Sequence, residues 1–321
     1  MRCDDSVVRW VPGNAGFPIR RARGFVPQPV VLPWELPPTL AVGAELKNTV
    51  CLLSGQRAVL SEHIGDLKDG RAYRHFIDTI RHLEALFELS PDAIVADMHP
   101  QYLSTEYAQR RHRGELAGRP AVPVVRVQHH HAHVVSCLAE HGRDGPVIGL
   151  ACDGVGYGDD GAVWGCEVLL CDLREYRRLG HLRYLPLVGG DAAASETHRP
   201  AAAAVYEAFG DSAARAMTQC RLGDGEGPAR EALELLEAGI DCPQSSSLGR
   251  WFDAVAALCG VTAENRFEGE APMKLEAIAA DDVKDSYAFR LVSEGPFLVD
   301  LRPMVEGLVH DLAGSADASY V

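Results

Sequence analysis

The chain alternates short apolar runs with stretches in which apolar residues recur at helical spacing. Valine- and leucine-rich residues 41–53 and 57–64 predict two or three strands that turn at Ser54 and Gly55. Beyond them, the spacing of apolar positions predicts a helix over 77–87, a strand over 93–96, a helix over 103–113, a strand over 122–127 and a helix over 130–140. This order is typical of a mixed α/β unit.

A second copy of the pattern begins near residue 147. Residues 147–152 and 162–170 predict a hairpin, and residues 178–185 predict a third strand. Two facing βββαβα units of the ribonuclease H-like kind describe the α/β architecture of actin, Hsp70 and the sugar kinases. In that architecture a nucleotide binds in the cleft between two lobes.

The second copy is interrupted. Residues 201–280 are rich in helix-forming sequence, and the closing strand and helix pairs of the unit are not visible before Val321. We therefore expect a partial second lobe over residues 146–321 that carries a helical insertion.

Prolines are dense near the start of the chain. Proline lacks a backbone N–H, so Pro27, Pro29, Pro33, Pro37 and Pro38 predict a linker rather than a helix or a central strand. We place the boundary near residue 38, with an N-terminal segment over 1–38 and the first lobe over 39–145.

Composition narrows the possible partners. The net charge of −14 repels polyanions, which argues against extended contact with nucleic acid or an anionic membrane surface. The nine cysteines are scattered without a CxxC pair, as in a protein of the reducing cytoplasm. No apolar run is long enough to cross a bilayer, so we expect no membrane partner.

A histidine cluster, HHHAH over residues 129–133, follows a predicted strand and opens a predicted helix. Residues four apart share a helix face, so His129 and His133 can offer nitrogen to one metal ion while the other two histidines point elsewhere. A solvated histidine tract is the alternative. The strand-to-helix corner favours a metal site.

A glycine-rich turn, DGVGYGDDG over residues 153–161, lies between two predicted strands. Gly154, Gly156 and Gly158 let backbone N–H groups approach anionic oxygens closely, although a merely tight, acidic turn is the alternative. A dinucleotide-binding fingerprint would open a helix, whereas a strand follows here, so that interpretation fails. Asp153 ends its strand and can complete a His, His, Asp set suited to iron(II) or zinc.

These motifs, with several others in the same order, resemble the carbamoyltransfer domain of the HypF family of hydrogenase-maturation enzymes. The other motifs are AELKNT (44–49), SEHIGDL (61–67), DMHPQYLST (97–105), GGDAA (189–193), GRWFDAVA (249–256) and FEGE (267–270). The first 35 residues resemble the tail of the YrdC-like domain that precedes it in that family. The resemblance covers nearly the whole chain.

The resemblance implies a carbamoyltransferase. The family makes carbamoyl adenylate from carbamoyl phosphate and ATP, and passes the carbamoyl group to the C-terminal cysteine of HypE on the route to the cyanide ligands of nickel–iron hydrogenase. By motif match, His129, His133 and Asp153 would be the catalytic metal ligands. The glycine turn and Gly249 would face the adenylate phosphate, and Asp253 with Glu270 would lie near the nucleoside.

Two further residues have weaker support. Lys47 could reach a phosphate oxygen from the first hairpin, although a surface lysine is the alternative. Asp253 lies on an apolar helix, where an inward carboxylate needs a partner such as a ribose hydroxyl.

The sequence lacks other parts of the family's pattern. Its acylphosphatase domain, zinc-finger cysteines, most of the YrdC-like domain and a C-terminal glycine-rich turn with its aspartate are missing, so the chain is expected to be truncated at both ends. Three alternatives remain: an O-carbamoyltransferase, an enzyme like the tRNA threonylcarbamoyl transferase, and an inactive fragment that binds metal, nucleotide or the maturation partner.

Overall fold

The computed structural model describes residues 4–10, 13, 16–220, 222, 227–280, 283–293 and 295–314. These residues belong to two units, Met1–Asp144 and Gly145–Val321. The division falls one residue from the predicted boundary between the lobes. No helix of the described residues is long and apolar enough to cross a membrane.

A four-stranded sheet with flanking helices forms most of the first unit. Its strand order is β4-β3-β5-β6, in which β3 and β4 are antiparallel and β3, β5 and β6 are parallel. The elements of the unit are β1 Val7–Arg9, β2 Phe17–Arg20, β3 Val30–Ala41, β4 Cys51–Leu60, α1 Gly70–Leu86, β5 Ala93–Asp97, α2 Leu103–His112, β6 Val124–Val127 and α3 His129–Glu140. Strands β1 and β2 form a separate antiparallel pair.

Strand β3 contains Pro33, Pro37 and Pro38, in a segment predicted to be a linker. The prediction was wrong for this segment because the pairing of β3 with β4 is irregular on either side of Leu36, which accommodates residues that cannot donate a ladder hydrogen bond. Only the proline-free end of β3, from Thr39, pairs with strands on both sides. The predicted turn at Ser54 and Gly55 lies inside β4 instead.

Helix α1 supplies much of the first unit's core. The Asp69 carboxylate accepts hydrogen bonds from the backbone N–H groups of Arg71 and Ala72, which fixes the start of the helix. One face of α1 is buried, and Phe76, which is fully buried, packs edge to face against Tyr107 of α2 at 5.2 Å.

A mixed sheet and a group of helices form the second unit. Its elements are β7 Val147–Tyr157, β8 Val163–Cys171, β9 Tyr176–Leu182, β10 Leu185–Pro186, α4 Ala192–Ser195, α5 His198–Phe209, α6 Ala213–Met217, α7 Pro228–Ala238, β11 Gln244–Ser245, α8 Leu248–Leu258, α9 Glu270–Ile278, β12 Arg290–Val292, β13 Phe297–Asp300 and α10 Arg302–Ala313. The predicted three-strand meander corresponds to β7, β8 and β9, which pair antiparallel in sequence order.

The sequence prediction missed β13 and α10. Strand β13 pairs parallel with β9, so one strand and helix pair follows the helical insertion. Among the described residues, β7 pairs with β8 alone, and Ile148 and Leu150 on β7 are 70% and 64% exposed. The predicted insertion is helical, and five consecutive residues of α5, Ala201–Val205, are fully buried in its core.

We predict that truncating Phe76 destabilises the protein far more than truncating Phe87 at the end of the same helix. Phe76 is fully buried, so Phe76→Ala should lower the free energy of unfolding by about 3–5 kcal/mol. Phe87 is 40% exposed, so Phe87→Ala should change it by less than about 1 kcal/mol. Urea denaturation of both variants measures the difference, and equal losses would contradict the assignment of Phe76 to the core.

Candidate metal and phosphate sites

The paired histidines lie at the first turn of α3. The helix begins at His129, directly after Gln128, whose side chain accepts a hydrogen bond from the backbone N–H of His131 and caps the helix. His129 and His133 therefore lie one turn apart on one face. Their Nε2 atoms are 3.2 Å apart.

The neighbouring histidines are shielded from solvent, unlike His129 and His133. His130 is fully buried and His131 nearly so, and the His130 ring lies beside the Gln128 amide at 3.4 Å. The four histidines therefore divide as their helical spacing predicts: two are buried, and His129 and His133 form the pair.

Asp97 orients His129. Its Oδ2 atom lies 2.7 Å from His129 Nδ1. A carboxylate at Nδ1 makes that nitrogen the donor and leaves Nε2 as the lone-pair nitrogen directed at His133. Sequence reasoning missed Asp97 as a site residue, although it directly follows the strand predicted over 93–96.

The sheet explains why Asp97 reaches His129. Asp97 is the last residue of β5 and pairs with Val127, the last residue of β6, so the carboxyl ends of two parallel strands lie side by side. The Asp97 side chain also accepts a hydrogen bond from the backbone N–H of His99, and its carbonyl accepts one from Arg126. The carboxylate is therefore held in place.

The geometry of the two imidazoles fits a divalent metal. Two nitrogen ligands at 2.0–2.1 Å from one tetrahedral ion lie about 3.3 Å apart, and the Nε2 separation is 3.2 Å. The His129 side chain is 15% exposed, which leaves a route from solvent, and its carboxylate partner resembles the support that metal-bound histidines usually have.

The AELKNT segment forms the loop between β3 and β4. The side chain of buried Glu45 accepts a hydrogen bond from the backbone N–H of Leu103, which stabilises the start of α2. Burial raises the pKa of Glu45 above its usual value, although this hydrogen bond opposes the rise. Asn48 is buried and donates to the carbonyls of Val42 and Ala44. Lys47 is exposed, with a left-handed backbone at φ 49°.

In the second unit, the glycine-rich segment is the end of β7 and the turn into β8. Asp153 lies in the irregular stretch of pairing between Cys152 and Gly156, and its Oδ1 accepts a hydrogen bond from the Gly154 N–H at 2.7 Å. Gly156 pairs with Trp164. A Cβ atom at Gly158 would lie 2.2 Å from the Trp164 indole nitrogen, so this glycine is required by packing.

Asp160 fixes the turn. Its carboxylate accepts hydrogen bonds from the Ala162 N–H, the Trp164 indole, the Tyr184 hydroxyl and the Arg178 guanidinium. Burial pushes the pKa of Asp160 upward, but the hydrogen bonds, led by that from Tyr184, outweigh burial and leave the pKa below its usual range. The acidic residue of the turn thus serves to hold its conformation.

Arg178 connects this turn to the strands beneath it. Its guanidinium lies over the Trp164 ring at 3.9 Å and donates to the fully buried Glu167 at 2.6 Å. Burial raises the pKa of Glu167, while the hydrogen bond and charge of Arg178 lower it. Ser246 also donates to the same carboxylate.

The start of helix α8 approaches the glycine-rich segment backbone to backbone. A Cβ atom at Gly249 would lie 3.4 Å from the Gly154 Cα, and one at Gly165 would lie only 2.5 Å from the Ser247 Cα. The Ser247 hydroxyl caps α8 by accepting from the Arg250 N–H. Unpaired N–H groups of a helix start and a glycine-rich strand form a typical cradle for an anion.

Asp253 and Glu270 both have protein partners. Asp253 is buried and accepts from Arg250 at 2.6 Å and from Asn265 at 2.9 Å. Glu270 accepts from Arg266 and Lys274, and these hydrogen bonds lower its pKa to about 2. The protein itself therefore supplies the partners that an inward carboxylate needs at Asp253.

Models of known families match both units. The HypF Kae1-like domain matches residues 35–140, and the second subdomain of the carbamoyltransferase Kae1-like domain matches residues 149–321. The fold and its motifs define a Kae1-like carbamoyltransferase domain.

Curated relatives agree with this class. The chain is 45% identical to carbamoyltransferase HypF2 of Cupriavidus necator, over 87% of this chain and 34% of that one. It is 42% identical to a HypF homolog of the same organism, over 87% of this chain and 69% of that one. The chain belongs to the HypF carbamoyltransferase family.

Solved structures confirm the fold. Full-length HypF in a phosphate- and nucleotide-bound form matches with a TM-score of 0.89 at 39% identity, over 99% of this chain and 40% of that one. HypF of T. kodakarensis matches with a TM-score of 0.86 at 34% identity, over 99% and 41%. The chain spans 34–40% of most of the full-length HypF relatives it matches.

We predict that Asp97→Asn weakens zinc binding by about 10–100-fold, because the amide no longer orients His129 as the carboxylate does. Asp92 is exposed near the opposite end of the same strand, so Asp92→Asn is the matched control and should bind zinc as the unaltered protein does. Competition with a chromophoric chelator measures both affinities. An unchanged affinity in Asp97→Asn would show that the carboxylate does not serve the imidazole pair.

Proposed function

We propose that this chain carries out the carbamoyl-transfer step of nickel–iron hydrogenase maturation. It would move the carbamoyl group from carbamoyl adenylate, made from carbamoyl phosphate and ATP, to the C-terminal cysteine of HypE in the cytoplasm. The observation that carries the proposal is the pair of His129 and His133 Nε2 atoms held 3.2 Å apart beside Asp97, in a chain of a carbamoyltransferase family.

His129 and His133 would hold an iron or zinc ion, with Asp153 as a third ligand. The chemistry of the set supports this assignment, because two imidazoles and a carboxylate suit either metal. Such an ion supplies Lewis acidity, which polarises a mixed anhydride.

The glycine-rich segment and the start of α8 would bind the adenylate phosphate. Gly154 has open space beside it at the end of β7, and Gly156 and Gly158 are the buried glycines that follow it. Asp160 fixes the turn, and Gly249 brings the start of the helix close to the Gly154 backbone. In the transfer, the bond from the carbamoyl carbon to the phosphate oxygen breaks, a C–S bond forms, AMP leaves with the electron pair, and the acceptor thiol loses its proton.

The nucleoside would lie beside Asp253 and Glu270. Both carboxylates are held by neighbouring cations, so they are positioned acceptors whose remaining lone pairs could receive ribose hydroxyl groups. Lys47, exposed in its loop, would supply a positive charge to a phosphate oxygen.

The assay combines this chain with a HypF relative that still makes carbamoyl adenylate but whose own transfer histidines have been replaced. We expect the metal-loaded 321-residue chain to restore carbamoyl transfer in that mixture. Mass spectrometry of the HypE C-terminal peptide measures the carbamoylated product. Loss of the metal ligands removes several kcal/mol of stabilisation, so His129→Ala and His133→Ala should reduce transfer at least about a hundredfold.

His141, which caps the end of the same helix, provides the control: His141→Ala should transfer as the unaltered chain does. Absence of transfer by the metal-loaded chain, in an assay where a complete relative succeeds, would reject the proposal in favour of a binding fragment. A product on an antibiotic hydroxyl group or on tRNA, with no product on HypE, would also reject the proposal. The chain would then be an O-carbamoyltransferase or an enzyme like the tRNA threonylcarbamoyl transferase.

We predict that Gly154→Ala weakens binding of a non-hydrolysable ATP analogue about tenfold or more without changing stability. A Cβ atom at Gly154 meets no atom of the protein within 4 Å, so the methyl group would enter the space that we propose for the phosphate. Gly70→Ala, also in open space, is the control. Calorimetric titration and urea denaturation measure the two effects, and full affinity in Gly154→Ala would remove this segment from the phosphate site.

A further inference from the structure

Two cysteines face each other across the hairpin of the second unit. Cys152 of β7 and Cys166 of β8 are direct partners in the antiparallel register. Side chains of directly opposed residues emerge on the same face of a sheet, so the two thiols are neighbours. Burial, with a contribution from the neighbouring Cys152 thiol, raises the pKa of the Cys166 thiol to about 12.

The spacing of opposed residues suits a disulfide. Opposed Cα atoms of an antiparallel pair are about 4.5 or 5.5 Å apart, depending on the type of pair, and both values fall in the range of about 4.4–6.8 Å found across disulfides. The Cβ atoms need to approach only slightly, from about 4.5–5.5 Å to about 3.5–4.5 Å.

The two thiols differ in access. Cys152 is exposed and is the last residue paired before the irregularity that extends to Gly156, where the strand can adjust. Cys166 is half-buried and packs against the second unit's core. One thiol can therefore meet a reagent from solvent, and the other can attack only its neighbour.

We propose that Cys152 and Cys166 are a reversible oxidation site, converted to a cross-strand disulfide by low-molecular-weight disulfides such as oxidised glutathione. The assignment goes beyond the carbamoyl-transfer proposal and does not depend on it. Cytoplasmic disulfides are generally transient, which agrees with a pair that is reduced in the resting protein.

The exchange has two balanced steps. Cys152 loses its proton and attacks one glutathione sulfur, forming a mixed disulfide and releasing one glutathione, which takes up a proton. Cys166 then loses its proton and attacks the Cys152 sulfur, forming the internal S–S bond and releasing the second glutathione. Two protein thiols are oxidised and one glutathione disulfide is reduced.

The bond would tie β7 to β8 at the residue before Asp153. It would restrict the irregular segment between Cys152 and Gly156, which carries both Asp153 and Gly154. Oxidation at this position therefore acts on the backbone of the proposed site without using any of its ligands.

The test equilibrates the native chain with oxidised and reduced glutathione at several ratios, blocks remaining thiols, and maps peptides by mass spectrometry. We expect a Cys152–Cys166 disulfide that becomes the main species at oxidising ratios and disappears on reduction. Exposed Cys137 on α3 should carry glutathione alone, and Cys137→Ser should leave the disulfide unchanged.

Cys166→Ser should stop the reaction at the mixed disulfide on Cys152, with circular dichroism confirming that the variant is folded. Measurement on the unaltered chain decides the proposal even if that variant is unstable. Glutathione on Cys152 with Cys166 blocked as a thiol at every ratio would overturn it, as would a disulfide formed only after unfolding in urea.

Discussion

The hydrogen bond between Asp97 and His129 is the contact on which the arrangement of the first unit's site depends. It joins the end of one strand to the start of the helix that follows the next strand, at 2.7 Å. The register of β5 and β6 sets this contact, because a shift of one residue would turn the carboxylate to the other face of the sheet. The direction of His129 Nε2 toward His133 is thus a property of the sheet as well as of the helix.

A different constraint shapes the second unit, where backbone lies against backbone. The near contact of Gly165 with Ser247 and of Gly249 with Gly154 lets the hairpin and the start of α8 approach more closely than side chains would permit. Arg178 and Asp160 then hold the turn through hydrogen bonds and the Trp164 ring. Glycines permit the close approach of the two backbones, and the paired charges of Arg178 and Asp160 fix the geometry of the turn.

Local sequence patterns predicted much of the fold and of the candidate sites. The histidine pair follows from helical spacing alone, and the meander and glycine turn follow from apolar runs and turn residues. The Asp97 contact spans 32 residues and depends on strand pairing, which spacing does not reveal. The strand character of the proline-rich segment depends likewise on its irregular register with β4.

Other features missed by sequence reasoning were visible in principle. Arg250 precedes Asp253 by three residues in α8, a spacing that brings side chains together on one helical face. Arg266 lies in the turn before α9, four residues ahead of Glu270. These pairs explain how the carboxylates are buried without a ligand. Strand β13, in contrast, pairs with β9 across the whole helical insertion, so no local sequence pattern predicts this pairing.

The two proposed sites therefore differ in what each requires of its side chains, and the difference follows from the chemistry of the proposed ligands. A metal ion needs a few donor atoms in fixed directions, and imidazoles can be aimed only if a second group holds their other nitrogen. A phosphate needs several N–H donors and room for its oxygens, so side chains must be removed. By the proposed function, a lost side chain would remove metal binding in the first unit, whereas an added side chain would remove phosphate binding in the second.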